Sequence, residues 1–271
     1  MFPLFNRRLP EPAIVVSVRY SVLLSGTAGS QWRLGQGAAS DDDYRAKLFD
    51  PDRLRLHHRL FSTVTLPSLL SQVPRLEAKS FRLNVIISDC LPTTHKQALY
   101  STIQGIDWVR VVELPQNASS VPHADLVAQF LEGRRAKGAL HAHARLDDDD
   151  AVSADFFSNL RRHIRPEHEG WVVSQGFGVT GHHDGTAFTA FETMLYPKIA
   201  IGLAYIGGRA IANVHALNNH IHVDRRVPVI LDSRKLAFIR TVHDQSDTGA
   251  ALKHRTAAPD PKELKAAFPF L

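Results

Sequence analysis

The chain has 271 residues, 44% of them hydrophobic and 22% charged, a composition that builds a buried core and excludes a disordered or fibrous chain. Net charge is +5, but Arg53, Arg134, Arg161 and Arg225 fall on separate segments. That scatter argues against nucleic acid as a partner and leaves phosphorylated small molecules or an anionic membrane face. The longest apolar run near the start, Ala13 to Leu24, is broken by Arg19 and falls short of the roughly 20 residues of a membrane span. With a single cysteine, Cys90, and no apolar segment directly after Arg7 and Arg8, the expected location is the cytoplasm, with peripheral contact at the inner membrane face.

Ala13 to Leu24 is rich in β-branched residues and predicts a first strand, followed by a long polar loop, Ser25 to Asp50, holding Gly26, Gly29, Gly35 and Gly37. Asp41 to Asp43 read as a solvated part of that loop. Leu54, Leu56, Leu60, Phe61, Val64, Leu69 and Leu70 recur at helical spacing over Pro51 to Gln72, with Pro67 starting or kinking the last turns. Phe81 to Ser88 predicts a second strand, Lys96 to Ile103 a helix, Trp108 to Leu114 a third strand, and His123 to Lys137 a helix that Gly138 ends. Leu140 to Leu146 predicts a fourth strand that runs straight into Asp147, and a helix capped by Ser153 follows. Alternating strands and helices predict a single α/β domain with a central, mostly parallel sheet flanked by helices. Beyond Gly170 the pattern weakens: a strand within Trp171 to Thr180, helical material around Pro197 within Thr186 to Ile206, strands at Val227 to Leu231 and Leu236 to Val242, then an irregular tail with one short helix.

The run Asp147-Asp148-Asp149-Asp150 closes an apolar strand and precedes a helix. In an open parallel sheet, ligands bind beyond the carboxyl ends of the strands. Adjacent carboxylates repel one another and lose hydration on burial, and a hard divalent cation, Mg²⁺ or Mn²⁺, relieves both costs while offering a bridge to a diphosphate.

Three segments carry a resemblance: Thr65 to Gln72, Leu83 to Asp89, and Leu146 to Phe156. Together they resemble the nucleotide-binding half of GT-A-type glycosyltransferases. Arg145 to Ala151, with its run of four aspartates, and the late arginine-x-x-histidine Arg240 to His243 are most similar to the bacterial rhamnosyltransferase family. The likeness runs from about Val15 to Asp247. It implies a metal-dependent transferase that moves a sugar, rhamnose first among candidates, from a nucleoside-diphosphate donor to a hydroxyl of a bacterial glycan or lipid-linked precursor. On this reading, residues 13–165 form the nucleotide-sugar half, 166–247 the acceptor side and the rest of the metal site, and 248–271 the tail.

By the same resemblance, Ser17 to Arg19 pass the base and ribose, and Asp89 contacts the base. Asp147 falls near ribose, diphosphate and metal, Asp148 lies within the donor site, Asp149 is on the metal, and Asp150 supports the others from behind. His243 is either a third metal ligand or a surface-loop histidine. Arg145 alternates with Asp147 on one strand face, so it either grips the donor phosphates or pairs with an acid of the run. Sugar transfer by inversion needs a carboxylate to accept the hydroxyl proton, and Asp184 and Glu192 are the candidates. His220 and His222, if on a strand, present both rings to one side as a zinc pair, but no third ligand is suitably spaced. Gly176-x-Gly178 and Gly207-Gly208 read as turns. A phosphohydrolase or nucleotidyltransferase on the same acids, or a Ca²⁺-dependent carbohydrate-binding module, are the rival readings.

Overall fold

The computed structural model describes residues 11–26, 38–132, 140–208, 213–217, 219–246 and 257–271. Gly29, Gly35, Gly37, Arg134 and Gly138 lie outside them, as do residues 1–10 and 247–256. The central sheet has seven strands in the order Val229–Leu231 (β10), Val172–Ser174 (β6), Ala204–Gly207 (β9), His141–Asp147 (β4), Ala13–Arg19 (β1), Phe81–Ser88 (β2) and Val109–Leu114 (β3). All neighbours are parallel except where β9 runs against β4 and β6. The expected α/β architecture is therefore present. Ser17 sits beside Arg145, and Arg19 beside Asp147, so the carboxyl ends of β1 and β4 open together.

β1 is a buried strand over its first six residues because both faces of the sheet are covered. Ile14, Val16 and Val18 join the main core with Leu83, Val85, Phe156 and Leu160, while Ala13 and Val15 meet Val127 and Leu131 on the other side. The strand stops at Arg19. Ser21 then takes a left-handed φ of 53°, and Val22 to Leu24 leave the sheet.

The segment after β1 differs from expectation. Asp41–Leu48 (α1) is helical, with Ser40 accepting a hydrogen bond from the Asp43 backbone N–H. Three acids in its first turn complement the positive end of the helix dipole, so Asp41 to Asp43 serve a helix start and not a loop. Asp50 and Asp260 each precede a proline and cap Pro51–Leu60 (α2) and Pro261–Ala267 in the same way. Helical winding continues from α2 through a π turn, Phe61–Thr65, into Leu66–Leu70 (α3). There Leu66 N–H reaches the Phe61 carbonyl, one residue ahead of Pro67, which has no N–H to give.

Thr93–Ile103 (α4) and His123–Leu131 (α5) form where helices were expected, but α5 ends at Leu131, with Glu132 in its cap position, and not at Lys137. β4 does not pass directly into its helix: Ala151–Val152 (β5) intervenes and pairs with Phe238–Val242 (β11) in a second sheet of order β5-β11-β7-β8, where β7 is Phe177–His183 and β8 is Phe188–Leu195. Ser153 is not the cap of the helix that follows, Phe156–His163 (α6); its hydroxyl donates to Asp155, which holds the cap position. The stretch Thr186 to Ile206, where helical material was expected around Pro197, instead holds β8 of the β7–β8 hairpin, turned at Gly185 with φ 97°, then a turn at Pro197 and the start of β9. Pro261–Ala267 (α7) is the short helix expected near the end, and it is packed: Phe268 is buried with Leu60, Val64, Val179 and Ile239. Among the described residues no helix is long and apolar enough to cross a membrane.

Candidate active site

A cleft of about 390 Å³ opens where β1 and β4 end. Arg19 and Ser21 form one side, Arg145 and Asp147 to Asp150 the floor, Arg53 and His57 of α2 another wall, and Arg240 and Thr241 of β11 the far wall. Tyr196, Ile199 and Ile201 add an apolar rim. The acids thus stand at the strand ends, as the sequence predicts.

Each aspartate has a different environment. Asp147 lies 3.6 Å from the Arg145 guanidinium, so Arg145 pairs with an acid of the run and also faces the cleft. Asp148 is buried, and its Oδ1 lies 3.1 Å from His57 Nδ1. Burial alone would pull the His57 pKa down, but the Asp148 carboxylate outweighs it and the net shift is upward. Burial likewise pushes Asp148 up, yet the His57 charge and hydrogen bond, with Arg53, hold it below the usual carboxylate range. The two form a charge-assisted buried pair. Asp149 Oδ2 lies 3.1 Å from His243 Nε2, and His243 is buried. Asp150 is buried and accepts the Thr241 backbone N–H at 2.9 Å. Burial, then repulsion from Asp149 and Asp147, raises its pKa well above the ordinary value.

Asp149 lines the cleft, and the buried His243 beside it sets a nitrogen next to its carboxylate oxygen. Mg²⁺ and Mn²⁺ sites usually combine one or two protein ligands with substrate phosphate oxygens and water, so this pair fits such an ion. Asp147 does not converge with them as a third ligand among the described residues.

The remaining sequence candidates lie elsewhere. Ser17 is buried below the cleft, its hydroxyl 2.9 Å from His143 Nε2. Asp89 is exposed after β2, its backbone tied to Leu114 and Lys96. Neither lines the cleft. Asp184 closes the β7–β8 turn, accepting from Thr186 N–H, Thr186 hydroxyl and Ala187 N–H. Those bonds hold its pKa down to about 2. Glu192 sits on β8, 3.6 Å from His182 Nε2. Neither carboxylate lines the cleft. His220 and His222 are in a 3-10 segment, His220–Arg225, not a strand, and His220 Nδ1 bonds the Lys198 carbonyl at 2.7 Å, so they form no same-side pair. Gly176 lies between β6 and β7, Gly178 within β7, and Gly207 ends β9.

Sequence reading missed Arg53 and His57. Their spacing of four places them on one helix face, but nothing in the sequence ties that face to the acids. Arg53 Nη1 donates to Ser21 Oγ and the Leu48 carbonyl, each at 3.0 Å, and so holds the left-handed residue that shapes the cleft mouth.

Residues 13–255 match a family described as "Putative rhamnosyl transferase". The chain belongs to this family. The match to the rhamnosyl transferase family spans β1, the acidic run and the Arg240–His243 segment together. No curated protein matches the chain. Among solved structures it is similar to S. aureus TarS residues 1–349 in complex with UDP-GlcNAc, at 11% identity and a TM-score of 0.42, covering 89% of this chain and 61% of that one. It is also similar to 4-diphosphocytidyl-2C-methyl-D-erythritol synthase, at 12% identity and a TM-score of 0.38, covering 96% and 99%. This chain therefore spans 61% of the TarS fragment, and at such TM-scores neither likeness bears on substrate.

Proposed function

We propose that this protein is a metal-dependent glycosyltransferase that moves a sugar, with rhamnose the leading candidate, from a nucleoside-diphosphate donor to a hydroxyl of a bacterial glycan or lipid-linked precursor. The observation that carries this reading is the meeting of the buried His243 with Asp149, an acid lining the same cleft as Arg19 and Arg145. Family membership supports sugar transfer, and rhamnose rests on the family description.

Asp149 and His243 hold the cation, Mn²⁺ or Mg²⁺, and imidazole beside carboxylate favours Mn²⁺ over Ca²⁺. When bound, it neutralises charge on the departing diphosphate. Arg145 and Arg19 stand at the ends of neighbouring strands, where bidentate guanidinium contacts orient phosphate oxygens. Asp147 sets the Arg145 head, and His57 fixes Asp148 so that the acid run keeps one geometry. Tyr196, Ile199 and Ile201 give the sugar ring or acceptor an apolar surface that excludes water. Lipid-linked acceptor precursors are assembled at membranes, and the net positive charge suits peripheral contact with an anionic face.

The test is thermal unfolding of the full chain with each nucleoside diphosphate, with Mn²⁺ and with chelator, followed by transfer from the rhamnosyl donor of the nucleotide that binds. The expected result is a rise in melting temperature for one base that needs Mn²⁺, and release of that diphosphate during turnover. Absence of stabilisation by every nucleoside diphosphate, with and without Mn²⁺, would reject the proposal.

A further inference from the structure

Behind the cleft, on the same face of β4 as Arg145, lies a second cluster of potential ligands. His143 comes from β4, His123 from the start of α5, and His215 from a 3-10 turn, Val214–Leu217. One donor atom from each lies within 4.8 Å of the other two, and among the described residues this is the one such group of three. The His123 and His215 rings stack at 3.7 Å and 6°, and each is centred 5.5 Å from the His143 ring.

We propose that His123, His143 and His215 form a transition-metal site of the zinc class, separate from the carboxylate site of the cleft and independent of the sugar-transfer reading.

Two observations carry this beyond proximity. His123 and His143 are buried, and both His123 Nδ1 and His215 Nε2 are shielded from solvent without a hydrogen-bond partner. A buried polar atom left unpaired costs about 1–3 kcal/mol, so two beside each other need a reason, and a shared cation supplies one. His143 is held in place at both ring nitrogens. Its Nε2 lies 2.9 Å from Ser17 Oγ, and its Nδ1 accepts a hydrogen bond, 3.3 Å long, from the N–H of Val214, the residue next to His215. With Ser17 holding Nε2, a metal taken at Nδ1 would replace the long Val214 bond, and the Ser17 contact at the other nitrogen would fix the ring.

The chemistry selects the ion. Three nitrogen donors suit Zn²⁺, Co²⁺, Ni²⁺ or Cu²⁺ and not Mg²⁺ or Ca²⁺, which prefer oxygen. Burial, followed by charges nearby, pushes the pKa of all three rings down, that of His123 to about 4. Neutral imidazole is the form that ligates. Zn–N bonds of about 2.0–2.1 Å draw the rings inward from their stacked positions. Arg19 and Arg145 lie close enough to bias these rings electrostatically, and they favour an anion such as hydroxide or chloride in the fourth position. The ion ties β4, α5 and the 214–217 turn together directly below the arginines of the cleft.

Cobalt is the probe. Full-length protein stripped with chelator is titrated with CoCl₂, followed by visible d–d absorption and competition with ZnSO₄. One equivalent of Co²⁺ is expected to give the bands of a low-coordinate nitrogen site that Zn²⁺ displaces, unchanged in Asp149→Asn and lost in the His123→Asn, His215→Asn double variant. No bands, bands that survive in the histidine variant, or bands that vanish in Asp149→Asn would each overturn the site. Should the double variant fail to fold by circular dichroism, X-ray absorption of the zinc-loaded wild-type protein decides: three imidazoles are expected, and two or fewer reject the assignment.

Discussion

Asp150 accepts the backbone N–H of Thr241 at 2.9 Å, and that bond joins the turn after a central-sheet strand to a strand of the second sheet. Two residues beyond Thr241 stands His243, so the bond sets where the imidazole meets Asp149. Asp150→Ala leaves a buried N–H unpaired, at a cost of about 1–3 kcal/mol. Its effect is expected to be double: a lower denaturation midpoint, and weaker Mn²⁺ binding although Asp149 and His243 are intact. Unchanged Mn²⁺ affinity by calorimetry would mean that the bond does not position the histidine.

Asp149→Asn keeps the size of the side chain and removes its charge. Nucleotide binding that depends on Mn²⁺ is expected to disappear with the melting temperature nearly unchanged, as read by calorimetry and thermal unfolding. Full metal-dependent binding in this variant would move the cation site elsewhere.

The His57–Asp148 pair predicts a pH dependence. Because the folded His57 pKa is raised, its contribution is complete below the unfolded histidine value near 6.5 and fades as pH rises through the folded one. Because the folded Asp148 pKa is lowered, its contribution is complete above the unfolded value near 3.9 and fades as pH falls. The stability gap between wild type and His57→Ala should therefore be widest between about pH 4 and 6.5 and narrow on either side. Within that window, removing one partner of a buried pair costs about 3–5 kcal/mol. Urea melts across pH that give a constant gap would show that packing, not charge, accounts for the loss.

Asp184→Asn and Glu192→Gln are expected to keep turnover, well short of the roughly 10²-fold loss that follows removal of a general base. Asp184 is committed to its turn, and neither side chain lines the cleft. A loss of that size in either variant, with donor affinity unchanged, would restore it as the base.

Gly202 has a φ of 67°, and a Cβ there would lie 2.2 Å from the Phe156 ring. Gly202→Ala is expected to cost at least about 1–3 kcal/mol from the left-handed backbone alone, visible as a lower melting temperature. Because Gly202 N–H also bonds the Arg145 carbonyl at 2.9 Å, donor affinity should fall with it. A variant as stable as wild type would mean that Phe156 moves aside freely.

The sheet was legible because β1 and β2 are buried and read as largely apolar, β-branched runs, and the acid run was legible because four adjacent aspartates stand where β4 ends. The β7–β8 hairpin was not, since β8 is half-exposed on both sides and shows no clean alternation. Helix α1 was hidden because its acids look like a solvated loop until Ser40 is recognised as a cap. His57 and the His123, His143, His215 trio were illegible for a different reason. Each residue comes from a distant part of the chain, and only the packing of α2, α5 and the 214–217 turn against β4 and its acid run brings them to their partners.

The π turn at Phe61–Thr65 works as an angular offset. Each α-helical residue advances about 100° around the axis, so the one extra residue in that turn rotates everything after it by that amount. Ahead of it, Arg53 and His57 point to the cleft; behind it, Ser68 meets the Val152 N–H and Gln72 meets the backbone of Ser153 and Phe157. Deleting a single residue from this turn would bring the helix back to regular winding, and one of the two faces would then miss its partners. Evolution can therefore change the side chains of this helix far more readily than its length.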